Sequence, residues 1–180
     1  MPWEDAPELH GAELIHDRHA VEAALDRMAA AITEDLGGKR PLILGVMIGG
    51  MIPAGQLLPR LAFALEVDYV HATRYRNEVS GQELVWHALP STPIEDRDLL
   101  VIDDILDEGH TLAAILDAFR RGGARSVRSA VLVEKHHDRR CPGMSADYVG
   151  LDTPDRYLFG VGMDCRGLGR NADGIYAIDV

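Results

Sequence analysis

The period of the apolar positions changes several times along the chain, and each change marks an element. From Arg18 to Leu36 the residues Val21, Ala24, Leu25, Met28, Ala29, Ile32 and Leu36 recur every three or four positions, which is the spacing of an amphipathic helix with one buried stripe. Gly37-Gly38 closes it, as glycines close helices. Pro41 then opens Leu42-Ile43-Leu44-Gly45-Val46-Met47-Ile48, a continuous apolar run of the kind buried on both faces of a parallel sheet. Gly49-Gly50 ends that run, residues 54 to 63 read as a helix, and Leu65 to Ala72 reads as a strand of mixed polarity.

The stretch from Thr73 to Gly81 holds Arg74, Arg76, Asn77, Glu78 and Ser80 and follows neither period, so it reads as an exposed, mobile loop. Leu99 to Ile102 forms the next buried strand. His110 to Arg121 is a helix with Leu112, Ile115, Leu116 and Phe119 on one stripe, stopped by Gly122-Gly123. Val127 to Val133 makes a further strand, with a charged loop from Glu134 to Arg140 after it. Cys141 to Val180 has short apolar pieces between Gly, Asp and Arg and reads as a small irregular lobe with one or two strands. Alternating strands and helices predict an α/β fold, an open and mainly parallel sheet with helices on both faces. Residues 1 to 180 read as one domain with its core at about 18 to 140, joined by a lobe from the N-terminal arm and 141 to 180.

Composition narrows the function. A net charge of −11 disfavours a broad grip on nucleic acid, which needs a basic face, so any phosphate ligand must be held locally. Cys141 and Cys165 are the two cysteines, and their spacing suggests neither a metal cage nor a disulfide framework, in keeping with a reducing, cytoplasmic setting. Met1 to His10 carries Glu4, Asp5 and Glu8 without an apolar run, which suits a loose arm better than a secretory signal. Leu42 to Pro59 is uncharged and approaches the length of a membrane span, but Gly45, Gly49, Gly50, Pro53, Gly55 and Gln56 interrupt it. No membrane partner is expected.

The chemistry concentrates in Leu99-Leu100-Val101-Ile102-Asp103-Asp104-Ile105-Leu106-Asp107-Glu108-Gly109-His110-Thr111-Leu112. Ligands of open α/β sheets bind where strands give way to helices, and Asp103 and Asp104 fall there. The turn from Asp107 to Thr111 runs into a helix start, whose free N–H groups and dipole suit a phosphate, and Gly109 permits close approach. The sequence has no Gly-Lys-Ser/Thr ending and no G-x-G-x-x-G after a strand, so it lacks both the P-loop and the dinucleotide fingerprint. Paired carboxylates beside a phosphate cradle suit a ribose 5-phosphate, gripped directly or through a hydrated cation.

At these residues the chain resembles the type I phosphoribosyltransferases, whose signature is four apolar residues, two acidic residues, a short acidic turn and Gly-x-Thr. Val131-Leu132-Val133-Glu134-Lys135 resembles the strand of the hypoxanthine-guanine branch that ends in a purine-reading lysine. The likeness continues through Tyr148-Val149-Gly150, Pro154-Asp155-Arg156-Tyr157-Leu158, Gly160, Met163-Asp164 and Arg170-Asn171. It implies the fold of that family with a hood lobe, and Mg²⁺-dependent transfer from phosphoribosyl pyrophosphate (PRPP) to hypoxanthine or guanine. In this likeness Asp103 and Asp104 hold the ribose and Mg²⁺, Asp107 takes a proton near purine N7, and Asp107, Glu108, Gly109, His110 and Thr111 cradle the 5′-phosphate. Lys135 reads O6, Tyr157 stacks on the base, and the Leu158 backbone meets the C2 edge. Asp164 binds a second Mg²⁺, while Ile48, Gly49, Gly50 and Arg170 bind pyrophosphate. Arg74 and Tyr75 fall on a closing loop, and the assembly is a homodimer or homotetramer.

Two positions depart from the pattern. Ile48 stands where a lysine is common, so pyrophosphate must be met by backbone N–H groups, Arg170 or metal. Glu108 stands where Thr or Ser is common and points a second carboxylate toward a phosphate unless it turns outward or His110 is protonated. His136-His137 reads as part of a solvated loop, since adjacent histidines point apart. Rival readings are a receiver domain, a PRPP-binding regulatory protein without activity, and a xanthine-preferring enzyme. A receiver is disfavoured because its acidic pair belongs on the first strand.

Overall fold

The computed structural model describes residues 5–77 and 81–179. Met1–Glu4, residues 78–80 and Val180 lie outside them, including part of the expected loop at Glu78 and Ser80. Nine strands and three α-helices follow in the order β1 (Glu13–His16), α1 (Arg18–Leu36), β2 (Leu42–Val46), α2 (Met51–Leu57), β3 (Glu66–Asn77), β4 (Gly81–Ala88), β5 (Asp98–Leu106), α3 (His110–Arg121), β6 (Ser126–Lys135), β7 (Tyr148–Thr153), β8 (Tyr157–Phe159) and β9 (Ile175–Ile178), counted over the described residues.

Six strands form one sheet in the order β4-β3-β2-β5-β6-β7. It is parallel except where β4 returns against β3. Successive side chains of a strand face opposite ways, which divides each apolar run between two cores. Ile43, Leu100, Ile102 and Leu132 pack with Val21, Leu25, Met28 and Ile32 of α1. Leu42, Leu44, Leu99, Val101 and Val131 pack with Leu112, Ile115, Leu116 and Phe119 of α3. The expected α/β architecture is therefore present. Asp17 caps α1, its carboxylate accepting from the Ala20 N–H at 2.8 Å.

A second, antiparallel sheet in the order β1-β9-β8 joins the two ends of the chain. Leu9, Phe159, Cys165 and Ala172 make its own small core, and the Phe159 and Tyr176 rings stack at 5.4 Å. The arm expected to be loose is thus docked from Ala6 through Leu9, which is buried. No helix among the described residues is long and apolar enough to cross a membrane.

Several bounds differ from the pattern reading, those of the strands because a neighbouring strand supplies hydrogen bonds that local polarity conceals. The segment expected as a loop from Thr73 continues β3 to Asn77 and pairs with β4, as in Thr73↔Val85 and Arg74↔Leu84. β5 runs four residues past Ile102, because Asp103, Ile105 and Leu106 pair with Val131, Val133 and Glu134 of β6. β6 in turn includes Glu134 and Lys135, which the charged-loop reading had excluded. The short helix begins at Met51 and gives way to a 3₁₀ turn at Leu58–Arg60, where Pro59 interrupts the α-helical pattern.

Candidate active site

The C-terminal ends of β5 and β6 and the start of α3 form the walls of two adjoining clefts. The larger, about 450 Å³, is lined by Arg74, Asp103, Asp107, Glu108, His110 and Thr111, among others. The smaller, about 220 Å³, is lined by Lys135, Tyr157, Leu158, Met163 and Asp164. Asp104, Ile105 and Asp107 belong to both.

The acidic pair is held by its own backbone: Asp103 Oδ1 accepts from the Asp104 N–H at 2.9 Å, and Asp104 Oδ1 from the Ile105 N–H at 2.8 Å. Burial, reinforced by the Asp104 charge, pushes the Asp103 carboxyl well above the usual carboxylate range. Burial raises Asp104 too, against the pull of its hydrogen bonds and of Arg170. Two carboxylates so placed favour a cation or hydroxyl donors between them and the ligand.

Gly109 caps α3 with φ +79°, and a β-carbon there would meet Leu106 Cδ1 and Met144 Cγ at 2.8 Å each. Glycine is thereby required by both conformation and space. Glu108 lies 3.9 Å from His110 Nε2, the neighbour expected to offset its charge. Arg74 reaches the larger cleft from β3, a strand and not a loop, and its buried Nε has no hydrogen-bond partner among the described residues. The side chain of Tyr75 lies outside the described residues.

Gly49 lets Asp104 approach the turn after β2, since a β-carbon at Gly49 would lie 2.0 Å from Asp104 Oδ2. The Gly50 N–H already donates to Val46 O at 2.8 Å, and Ile48 is half exposed. Arg170 pairs with Asp164 and donates to Gly162 O, and a β-carbon at Gly162 would lie 2.1 Å from Gly49 O. Ile48, Gly49, Gly50 and Arg170 therefore line neither cleft themselves; Gly49 borders them through Asp104 and Arg170 through Asp164.

Lys135 is buried at the end of β6, its Nζ donating to Asp107 Oδ2 at 2.9 Å. His137 Nε2 lies 2.6 Å from Asp107 Oδ1. Partial burial works to raise the Asp107 carboxyl, but Lys135 and then His137 outweigh it and hold it below the ordinary carboxylate range. Tyr157 is partly exposed and Leu158 is buried beside it on β8.

His137 was missed. The solvated-loop reading fits His136, which is exposed and meets Asp152 at 2.7 Å, but His137 is enclosed against Asp107. The two rings meet different carboxylates, Asp152 and Asp107. Arg139 and Asp155, joined by hydrogen bonds of 2.7 and 2.8 Å, also border this corner. A histidine two residues past a strand carries no periodic signal of burial, so nothing in the sequence could have found it.

The family described as phosphoribosyl transferase domain matches residues 11–166. The chain is 30% identical over 146 residues to a hypoxanthine-guanine phosphoribosyltransferase of Bacillus subtilis, covering 80% of each. The crystal structure of a hypoxanthine phosphoribosyltransferase from Staphylococcus aureus is similar with a TM-score of 0.87 at 27% identity, over 93% of this chain and 91% of that one. A structure named hypoxanthine-guanine-xanthine phosphoribosyltransferase gives a TM-score of 0.83 at 26% identity, over 92% and 95%.

Proposed function

Because the chain belongs to the phosphoribosyl transferase domain family, we propose that it converts hypoxanthine or guanine and PRPP into IMP or GMP and pyrophosphate, the reaction of purine salvage. The observation that carries this reading is the pair of clefts meeting at Asp104, Ile105 and Asp107. One offers an acidic pair and a helix start for ribose 5-phosphate, the other a lysine and a tyrosine for a flat base. The atoms to be joined then meet at the shared wall.

In this reading Asp103 and Asp104 hold the ribose hydroxyls, and the turn from Asp107 through Glu108, Gly109 and His110 to Thr111 cradles the 5′-phosphate. Lys135 donates to O6, Tyr157 stacks on the ring, and the Leu158 backbone meets the C2 edge. Purine N9 forms the bond to C1′, the C1′–oxygen bond breaks, and its electron pair leaves with pyrophosphate. The proton on N7 passes to Asp107, whose ionised form is favoured by Lys135 and His137. Arg170, Arg74 and the turn at Ile48, Gly49 and Gly50 face the departing anion, with the Nε of Arg74, which has no partner among the described residues, a donor suited to it. Tyr75 belongs with Arg74 in excluding water.

The cation of this reading is Mg²⁺. The carboxylate oxygens of Asp103, Asp104 and Asp164 are hard donors that suit it, and the raised carboxyl of Asp103 is what a nearby cation relieves. When bound, it supplies positive charge against the pyrophosphate. The reading also includes a cytoplasmic enzyme, consistent with free Cys141 and Cys165, assembled as a homodimer or homotetramer. Xanthine is a further candidate base, since one structural relative is named for it.

The test is pyrophosphate release from PRPP and Mg²⁺ with hypoxanthine, guanine, xanthine and adenine in turn. Nucleotide forms from the 6-oxopurines and little forms from adenine, whose 6-amino group cannot accept from Lys135. Asp107→Asn lowers kcat by about 10²-fold or more. Release that needs no base, or none with any base, overturns the reading.

A further inference from the structure

His137 holds no substrate in the reading above, yet its surroundings are those of a residue with a task. It lies two residues beyond β6, and its side chain is 3% exposed in an otherwise charged segment. Both ring nitrogens are committed. The backbone N–H of Arg139 donates to Nδ1 at 3.1 Å, so Nδ1 carries the lone pair and Nε2 the hydrogen. Nε2 therefore donates to Asp107 Oδ1 at 2.6 Å. Lys135 takes the other oxygen, at 2.9 Å.

These two donors are not equivalent. Lys135 has three N–H groups and in the proposed reaction shares them between Asp107 and the purine O6. The imidazole has one, and the Arg139 amide commits it to Asp107. When the lysine turns toward a base, His137 is the donor that still fixes the plane of the carboxylate. The same cluster is a poor cation site, although Asp107, His137 and Asp155 offer ligand atoms close together. Lys135 and Arg139 already supply the positive charge, Arg139 through two bonds to Asp155 and an approach of 4.0 Å to Asp107.

We propose that His137 is a positioning residue for the purine proton acceptor. The chain of contacts runs from the Arg139 amide to the ring, from the ring to Asp107 Oδ1, and so leaves the remaining lone pairs of Asp107 for N7 of the base. This rests on the proposed role of Asp107.

The experiment compares wild type, His137→Leu, His137→Gln, Asp107→Asn and the double variant His137→Leu/Asp107→Asn, with hypoxanthine, PRPP and Mg²⁺. His137→Leu lowers kcat by about tenfold or more while the KM for PRPP stays within about twofold. His137→Gln regains most of the loss, because its amide NH₂ reaches the position of Nε2. His137→Leu adds nothing once Asp107 is Asn. Nitrogen-15 spectra of the wild type show the hydrogen on Nε2. Equal losses in Leu and Gln, an additive loss in the Asp107→Asn background, or a hydrogen on Nδ1 overturns the proposal. An active wild type with an unaffected His137→Leu overturns this inference alone, whereas a wild type that makes no nucleotide overturns the proposed function as well.

Discussion

Lys135 and Asp107 meet at 2.9 Å across the ends of neighbouring strands, the lysine buried and the carboxylate half in water. A lysine so enclosed is held in one direction by its partner, as the proposed reading of the purine O6 requires.

Lys135→Met therefore separates recognition from folding. Asp107 keeps its contact with water, so losing the ion pair costs under about 1 kcal/mol of stability. The KM for hypoxanthine rises about tenfold or more, as expected when a charged donor to a base oxygen is removed. Thermal melts and steady-state kinetics with each substrate varied check the two halves.

The two glycines after β2 should fail differently. A β-carbon at Gly50 would lie 2.5 Å from Ile102 O and 2.7 Å from Val46 O, both backbone atoms that cannot yield. At Gly49 it meets the end of the Asp104 side chain, which can rotate away. Gly50→Ala thus lowers stability by about 2 kcal/mol or more. Gly49→Ala melts closer to wild type but loses PRPP binding with its displaced carboxylate, as calorimetry would register.

Asp68 gives the clearest dependence on pH. Burial acts to raise its carboxyl, but the N–H groups of Thr92 and Tyr69 and the Ser91 hydroxyl bring it down to about 2 from an ordinary 3.8. A carboxyl depressed by folding adds stability above its unfolded pKa and loses it as pH falls through the folded value. Asp68→Asn is accordingly less stable at pH 7 by about 1 kcal/mol. The gap between the two proteins closes between about pH 4 and pH 2, in denaturant titrations run across that range.

Phe159 is fully buried and stacked on Tyr176. Phe159→Ala costs about 3 kcal/mol or more and loosens the small sheet first. The KM for the base rises while the larger cleft still takes PRPP. Phe159→Leu, nearer in volume, retains most of both.

Much of this arrangement was legible because a parallel sheet writes itself as uninterrupted apolar runs. Leu42 to Val46 and Leu99 to Ile102 announce central strands, and an acidic pair directly after one of them announces a ligand site. What could not be read depends on partners distant in sequence. Thr73 to Asn77 looks like a loop because its polar side chains mask a backbone paired to β4. β1 meets β9, as in Leu14↔Tyr176, a pairing that local periodicity does not encode. His137 is enclosed against Asp107, thirty residues earlier in the chain, which leaves no mark on the pattern around it.

The small sheet takes β1 from residues preceding the first long helix and β9 from residues 175–178. During synthesis, then, the proposed phosphate cradle at Asp107–Thr111 can form well before the platform under Tyr157, which waits for Tyr157↔Ile178 to close. On the proposed function, a nascent chain halted before Ile175 would own half a binding site: able to grip a sugar phosphate, with no shelf on which to lay a purine.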